Sequence, residues 1–316
     1  MLDHISQLRR RFASTQGVIV PPVRIKDNVQ LEPTAYRILV GGHEVATGSI
    51  EPGRFLAMDG GAASGSVHGT ETVDPAFGLP AWWIAGAERD EAELKGFTVI
   101  DATSVLVTHV SEVLNGSIPD ILNRDDVKEL VENAKQVAPA LVEEAVPDKV
   151  AYGELQQVLR NLLREGVSIR NMPGILEAVV DNIGRSRDPE TLTELVRGRL
   201  GRALCERHTD AKGVLHAITL DPEVEAQLAA AVGGAADPDA APVNPAWLQK
   251  LVERLGESLA GAARGGKDVV VLVRSNVRRF VGELVRSSLP KVAVLSYNEV
   301  VPAKSVETRN VVSMED

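Results

Sequence analysis

The chain has little of the chemistry from which catalytic and metal sites are usually built. Of its 316 residues only 3% are aromatic, and Cys205 is the single cysteine. One cysteine excludes an intrachain disulfide and any multi-cysteine metal centre, as in proteins of a reducing compartment. Beside Leu200 and Leu204 in a helical pattern, it reads as a small buried apolar residue. The histidines, at 4, 43, 68, 109, 208 and 216, show no His-Glu-x-x-His spacing, and no Gly-x-Ser-x-Gly elbow occurs. No metal, cofactor or catalytic residue is therefore expected. His109, beside Thr108 on an amphipathic helix, reads as a hydrogen-bonded structural histidine. No apolar run reaches the roughly 18 residues that would suggest a membrane helix, and Met1-Leu-Asp-His4 does not open a basic-then-apolar leader. With 44 acidic against 34 basic residues the net charge is −10, which argues against a phosphate-tracking surface and hence against nucleic acid as a partner.

What is present is a multi-domain α+β pattern, because 316 residues exceed the size at which one core stops growing. Ile5, Leu8 and Phe12 share one face of a short helix, with Arg9, Arg10 and Arg11 pointing largely elsewhere. Val23–Lys26 and Tyr36–Val40 are strand-like. Asp59–Gly69 is glycine-rich but lacks the Gly-Lys-Ser/Thr ending of a phosphate loop, so a plain loop is expected. A short helix over Ala87–Lys95 pairs Glu91 with Lys95, Gly96 ends it, and Phe97–Ile100 follows as a strand. Thr103–Leu114 forms a helix capped by Asp101 or Thr103. From there to His208 the pattern is helical: 125–137, 139–146, 152–165, 173–184 and 189–207, with breaks at proline or glycine. Asn161, Arg164 and Arg170 are available for contacts beyond these helices. The last third alternates. It places strands at 214–220, 269–273 and 292–295, helices from Asp221, over 247–263 and over 277–287, and a linker over 233–245. Strand, helix, strand implies a parallel pair. The tail after Pro302 looks loosely ordered, although 306–312 has the pattern of a sheet edge.

The segment Thr72-Val-Asp-Pro-Ala-Phe-Gly-Leu-Pro-Ala-Trp-Trp-Ile84, followed by Gly96–Val110, concentrates two of the three tryptophans. Asp74, Phe77 and Thr108 offer one charge, one ring and one hydroxyl, which suits recognition of another protein's apolar segment better than bond breaking. With Pro21–Asn28, Tyr36–Leu39, Leu141–Asp148, Leu155–Arg170, Asp188–Glu194 and Val294–Glu299, this pattern resembles the cytoplasmic domain of the FHIPEP family. These are the export-gate proteins of flagellar and virulence type III secretion, and the likeness is to their flagellar (FlhA) branch. The blocks occur in the family's order over nearly the whole chain.

The resemblance implies a mixed α/β first domain (1–52 and 102–121), an inserted α/β second domain (53–101), an all-helical third (122–201) and a C-terminal α/β fourth (202–316). It implies a docking site for export chaperone–substrate complexes between the first two domains. Asp74, Phe77 and Thr108 match its principal residues, and Ile100 and Val105 its apolar lining; Gly60 stands where a proline is expected. It also implies a ring of nine copies in the full-length protein, for which Arg164 and Arg170 are the candidate contacts. Further implied partners are the soluble ATPase complex and a second gate subunit, with location at the cytoplasmic face of the bacterial inner membrane below an amino-terminal membrane half. Gly53, Asp120 and the Gly201 region are the expected hinges. The alternative within the family is a virulence-injectisome gate; a distant alternative is an enzyme with a helical regulatory domain.

Overall fold

The computed structural model describes residues 2–61, 63–233, 243–263, 268–290 and 292–314. These divide into two compact units, one running through Lys128 and including Ser168–Arg170, the other comprising Glu129–Val167 and the chain from Asn171 onward.

In the first unit, α1 (Leu2–Thr15) buries Ile5, Leu8 and Phe12 from one face, as their spacing requires. Arg9 turns aside and donates from Nε to the Val20 carbonyl at 2.9 Å. Val23–Lys26 does not form the expected strand; it is exposed chain following Pro21 and Pro22, which bring no N–H to a ladder. Among the described residues no strand lies beside it, so water solvates its backbone instead. β1 (Ala35–Val40) pairs with β2 (His43–Ser49) in an antiparallel hairpin with an irregularity between Ile38 and Leu39. β3 (Phe55–Met58), β4 (Thr70–Val73), β5 (Pro80–Ile84) and, after α2 (Arg89–Leu94), β6 (Thr98–Asp101) make an antiparallel sheet of order β4-β5-β3-β6. The glycine-rich stretch between β3 and β4 is a loop, with Ala62 outside the described residues. Glu91 pairs with Lys95 at 2.7 Å, and Gly96 closes α2 at φ +87°, a conformation in which a Cβ is strained.

α3 (Ala102–Ile121) starts where Asp101 Oδ1 accepts the Thr103 and Ser104 N–H groups at 3.0 and 3.1 Å. It runs a further two turns beyond the expected end at Leu114. Gly116 and Pro119 lie inside it, and the burial of Ile118 and Pro119 offsets the one backbone bond that a proline cannot make.

α4 (Arg124–Lys135) carries the chain into the second unit, where α5 (Pro139–Ala145), α6 (Tyr152–Arg164) and α7 (Met172–Asn182) follow. Leu155, Val158, Leu159, Leu162 and Leu163 form the buried stripe of α6. The expected single helix over 189–207 is two, α8 (Pro189–Arg199) and α9 (Gly201–His208), meeting at Leu200. The bend lays Gly201 against the backbone of Glu299, whose carbonyl oxygen would stand 2.8 Å from any added Cβ. Gly201, in the expected hinge region, is closely packed. Cys205 is buried there and donates its thiol to the same carbonyl at 3.2 Å.

β7 (Val214–Leu220), α10 (Pro222–Gly233), α11 (Pro245–Ala263), β8 (Val270–Val273), α12 (Ser275–Ser288), β9 (Val294–Ser296) and β10 (Ser305–Val312) complete the chain. Residues 234–242 of the expected linker lie outside the described residues. The sheet is parallel, in the order β10-β7-β8-β9, and the expected parallel pair is β8 and β9. The tail is not loose. Its last strand lies along β7, and Val312 enters a core with Ile218, Val271, Val277 and Leu255.

Candidate functional site

The proposed docking block begins where β4 turns into β5. Asp74 N–H donates to Leu79 O and Gly78 N–H to Asp74 O, both at 2.9 Å, closing a tight loop. Gly78 sits at φ +69°, where glycine fits without strain. The Asp74 side chain builds this loop. Its Oδ2 accepts the N–H of Phe77 at 2.6 Å and of Ala76 at 3.1 Å, an aspartate turn of the kind that competes with ordinary secondary structure. Asp74 is accordingly 2% exposed, whereas Phe77 at the turn is 41% exposed. The sequence assigns Asp74 to a hydrogen-bonding rim; the structure turns its carboxylate inward, where it fixes the backbone that carries Phe77.

The same carboxylate acts on α3. Tyr36 of β1 hydrogen-bonds through its hydroxyl to His109 Nδ1 at 2.7 Å, with the two rings edge-on at 5.7 Å. Burial, reinforced by the charge of Asp74, pushes the Tyr36 phenol up to about 12. Burial lowers the His109 pKa, and Asp74 opposes that shift only in part, so the imidazole is neutral at pH 7. His109 is thus the hydrogen-bonded structural histidine expected. Thr108, half-buried, precedes it on α3.

Ile100 and Val105 meet in one apolar cluster with Leu56, Met58, Ala81 and Trp83. Val105 is fully buried and Ile100 partly so, which makes Ile100 the one of the pair that has surface to offer. The structure therefore joins Ile100 with Val105, ties Asp74 electrostatically to His109 beside Thr108, and leaves Phe77 at the surface. Sequence reasoning missed Val73, 61% exposed at the start of the turn, and Tyr36. Val73 follows Thr70-Glu-Thr in a strand with little burial, so alternation gave no signal. A cavity of about 430 Å³ elsewhere in this unit is lined by Thr34, Glu51, Arg54, Thr70 and Trp83 among others, and by none of the assigned residues.

Arg164 and Arg170 fall in different units. Arg164 donates to Asn161 Oδ1 at 3.0 Å and lines a polar pocket in the second unit, while Arg170 is exposed and belongs to the first. Among the described residues no group of His, Cys, Asp or Glu side chains is arranged to hold a metal, and no helix is long and apolar enough to cross a membrane.

Residues 1–305 match the FHIPEP family along their whole extent. The chain belongs to the FHIPEP family. Among its relatives, the flagellar biosynthesis protein FlhA of Yersinia enterocolitica is 36% identical over 300 residues, which are 95% of this chain and 43% of that protein. The chain thus spans less than half the length of that FHIPEP relative. Among solved structures, the Chlamydia pneumoniae CdsV protein superposes with a TM-score of 0.83 at 23% identity, covering 98% of this chain and 90% of that one. The nonameric EPEC SctV-C, solved by cryo-electron microscopy, does so with a TM-score of 0.77 at 18% identity, covering 98% and 93%. The two solved structures share the fold of this chain.

The burial of Tyr36 beside Asp74 can be checked by ultraviolet titration. Its phenol should ionise near 12, and Tyr36→Phe should remove that step. Because the folded pKa lies above the ordinary value, the stabilisation is complete below about pH 10 and is lost as pH rises through the raised value. Asp74→Ala should lower the step only modestly, since burial is the larger cause. A Tyr36 step near 10 in the folded chain would contradict the burial of the phenol beside the Asp74 charge.

Proposed function

We propose that this chain is the cytoplasmic part of a type III protein export gate of the flagellar kind, a docking platform for export chaperone–substrate complexes rather than an enzyme. The observation that carries the proposal is the Asp74 turn. A buried carboxylate preorganises the backbone under an exposed phenylalanine, and a rigid aromatic anchor is how a docking surface takes an amphipathic helix. In this reading Phe77 and Ile100 contact the apolar face of the partner, Thr108 bonds its polar edge, Val105 supports Ile100 from below, and Asp74 positions Phe77. The FlhA name and the 36% identity of the relative favour the flagellar branch over an injectisome gate, whose support is a fold shared at 18–23% identity.

The proposed arrangement is four domains. Residues 1–52, with α1 and the hairpin, and α3 (102–121) form the first, the sheet β3–β6 (53–101) the second, the helices of 122–201 the third, and the parallel sheet with its helices (202–316) the fourth. Three features support it: each sheet is separately hydrogen-bonded, the β3–β6 sheet has its own apolar clusters, and the parallel sheet has another. The nonameric state of SctV-C supports a proposed ring in the intact protein. The proposed location is the cytoplasmic face of the inner membrane, with the soluble ATPase complex and the second gate subunit as proposed further partners.

Phe77→Ala should weaken binding of a flagellin–chaperone complex at least about tenfold, or about 1.4 kcal/mol, with little change in melting temperature because the ring is largely outside the core. Unchanged affinity by calorimetry would remove Phe77 from the site. For the ring, reversing Arg164 and Arg170 to glutamate in the full-length protein should reduce export and motility and leave chaperone binding intact. Normal motility would discard both as ring contacts.

A further inference from the structure

A charge cluster in the second unit has no part in the docking site. Arg197 of α8 and Arg278 of α12 are 2% and 1% exposed. From Arg197, Nε donates to Glu299 Oε1 and Nη1 to Glu165 Oε2, both at 2.6 Å, and Nη2 reaches the Val294 carbonyl at 3.3 Å. From Arg278, Nη1 and Nη2 donate to the two oxygens of Glu165 at 2.7 and 3.2 Å, and Nε to Glu194 Oε2 at 2.6 Å. Arg286 adds a contact from Nη2 to Glu165 Oε1 at 3.3 Å. The second oxygen of Glu299 accepts the Ser296 N–H at 2.6 Å. Glu165, the residue that ends α6, is therefore the single carboxylate shared by three arginines from two helices.

The position of this cluster matters. One apolar core of the parallel sheet is drawn from residues between Ile218 and Met314 and, among the described residues, includes none of α6 or α8. Where those helices meet α12 and the end of β9, Arg197, Arg278 and Glu299 are buried and Glu165 nearly so, each paired with opposite charge. Such a seam is strong only while every charge is matched. Removing one partner of a buried pair leaves an uncompensated ion, far costlier than an exposed one, and opening the seam to water relieves it.

We infer that the Glu165–Arg197–Arg278 cluster is a reversible lock: with Glu165 ionised, α6 and α8 move as one body with the sheet β7–β10, and neutralising Glu165 releases the seam while both flanking segments stay folded. Burial alone would raise the Glu165 carboxyl, but Arg197, Arg278 and Arg286 outweigh it and hold the group below the usual carboxylate range, so at neutral pH the lock is closed. A polar pocket of about 100 Å³, lined by Asn161, Arg164, Glu190, Glu194, Arg286 and others, gives access to Glu165 from solvent.

The test is amide hydrogen exchange on the 316-residue chain at neutral pH. In Glu165→Gln, peptides covering 189–199 and 294–299 should exchange about tenfold faster or more, while those covering 214–220 and 270–273 keep the wild-type rate. No acceleration at 189–199 and 294–299 would overturn the lock. Equal acceleration in all four segments would also overturn it, because the cluster would then support the fold as a whole and not a separable seam. Should Glu165→Gln fail to fold, Glu165→Asp decides by the same readout. It keeps the charge but, one methylene shorter, cannot reach both Arg197 and Arg278, so selective acceleration supports the lock and a uniform or absent response overturns it.

Discussion

The first unit depends on α3. Its first turn is set by the Asp101 cap, its apolar face places Ala102 and Val105 on the sheet of β3 and β6, and His109 on its next turns receives Tyr36 from the β1–β2 hairpin. It also touches α1. One helix thus fixes the hairpin and the sheet to a common reference, and this is why residues far apart in sequence, Asp74 in the β4–β5 turn and His109 on α3, come within electrostatic reach of one another. Weakening the cap or the Tyr36–His109 bond would shift α3 against the hairpin and the sheet.

Within that frame the site is made by an inversion of roles. A surface aspartate next to an aromatic invites the reading that the charge meets the partner. Here the charge is spent on the backbone, because two amide donors within 3.1 Å are worth more to a buried carboxylate than water it cannot reach. The exposed element is the ring. A preorganised turn loses little freedom when a partner docks on it, which favours affinity from a small apolar contact.

Much of this was legible in the sequence. Helices announced themselves where apolar residues recur at three and four, as Ile5, Leu8 and Phe12 do, or Leu155, Val158, Leu159 and Leu162, because that pattern needs no knowledge of a partner element. The Asp101 cap and the Gly96 ending were local and equally readable. What failed was whatever depends on a distant neighbour. Val23–Lys26 has strand residues but no strand beside it, whereas the tail over 305–312 becomes ordered only because the β7 edge is available to it. The break between α8 and α9 is dictated by the Glu299 backbone about a hundred residues later. The site behaved the same way. Its residue types were visible as a block, but the inward turn of Asp74 and the Tyr36–His109 pair required the fold. Glu165, Glu194 and Glu299 each lay in a block by which the family was recognised, yet nothing local shows that they converge on two buried arginines.

The central claim is that partner polypeptides dock on the Asp74 turn and α3. It is tested most directly by a hydrogen-exchange footprint of the wild-type chain with and without a purified flagellin–chaperone complex. The account predicts protection concentrated in peptides covering 73–79 and 98–110, with β7 and β8 of the second unit unchanged. Binding that protects some other surface and leaves both of those segments at their unliganded rates would contradict it.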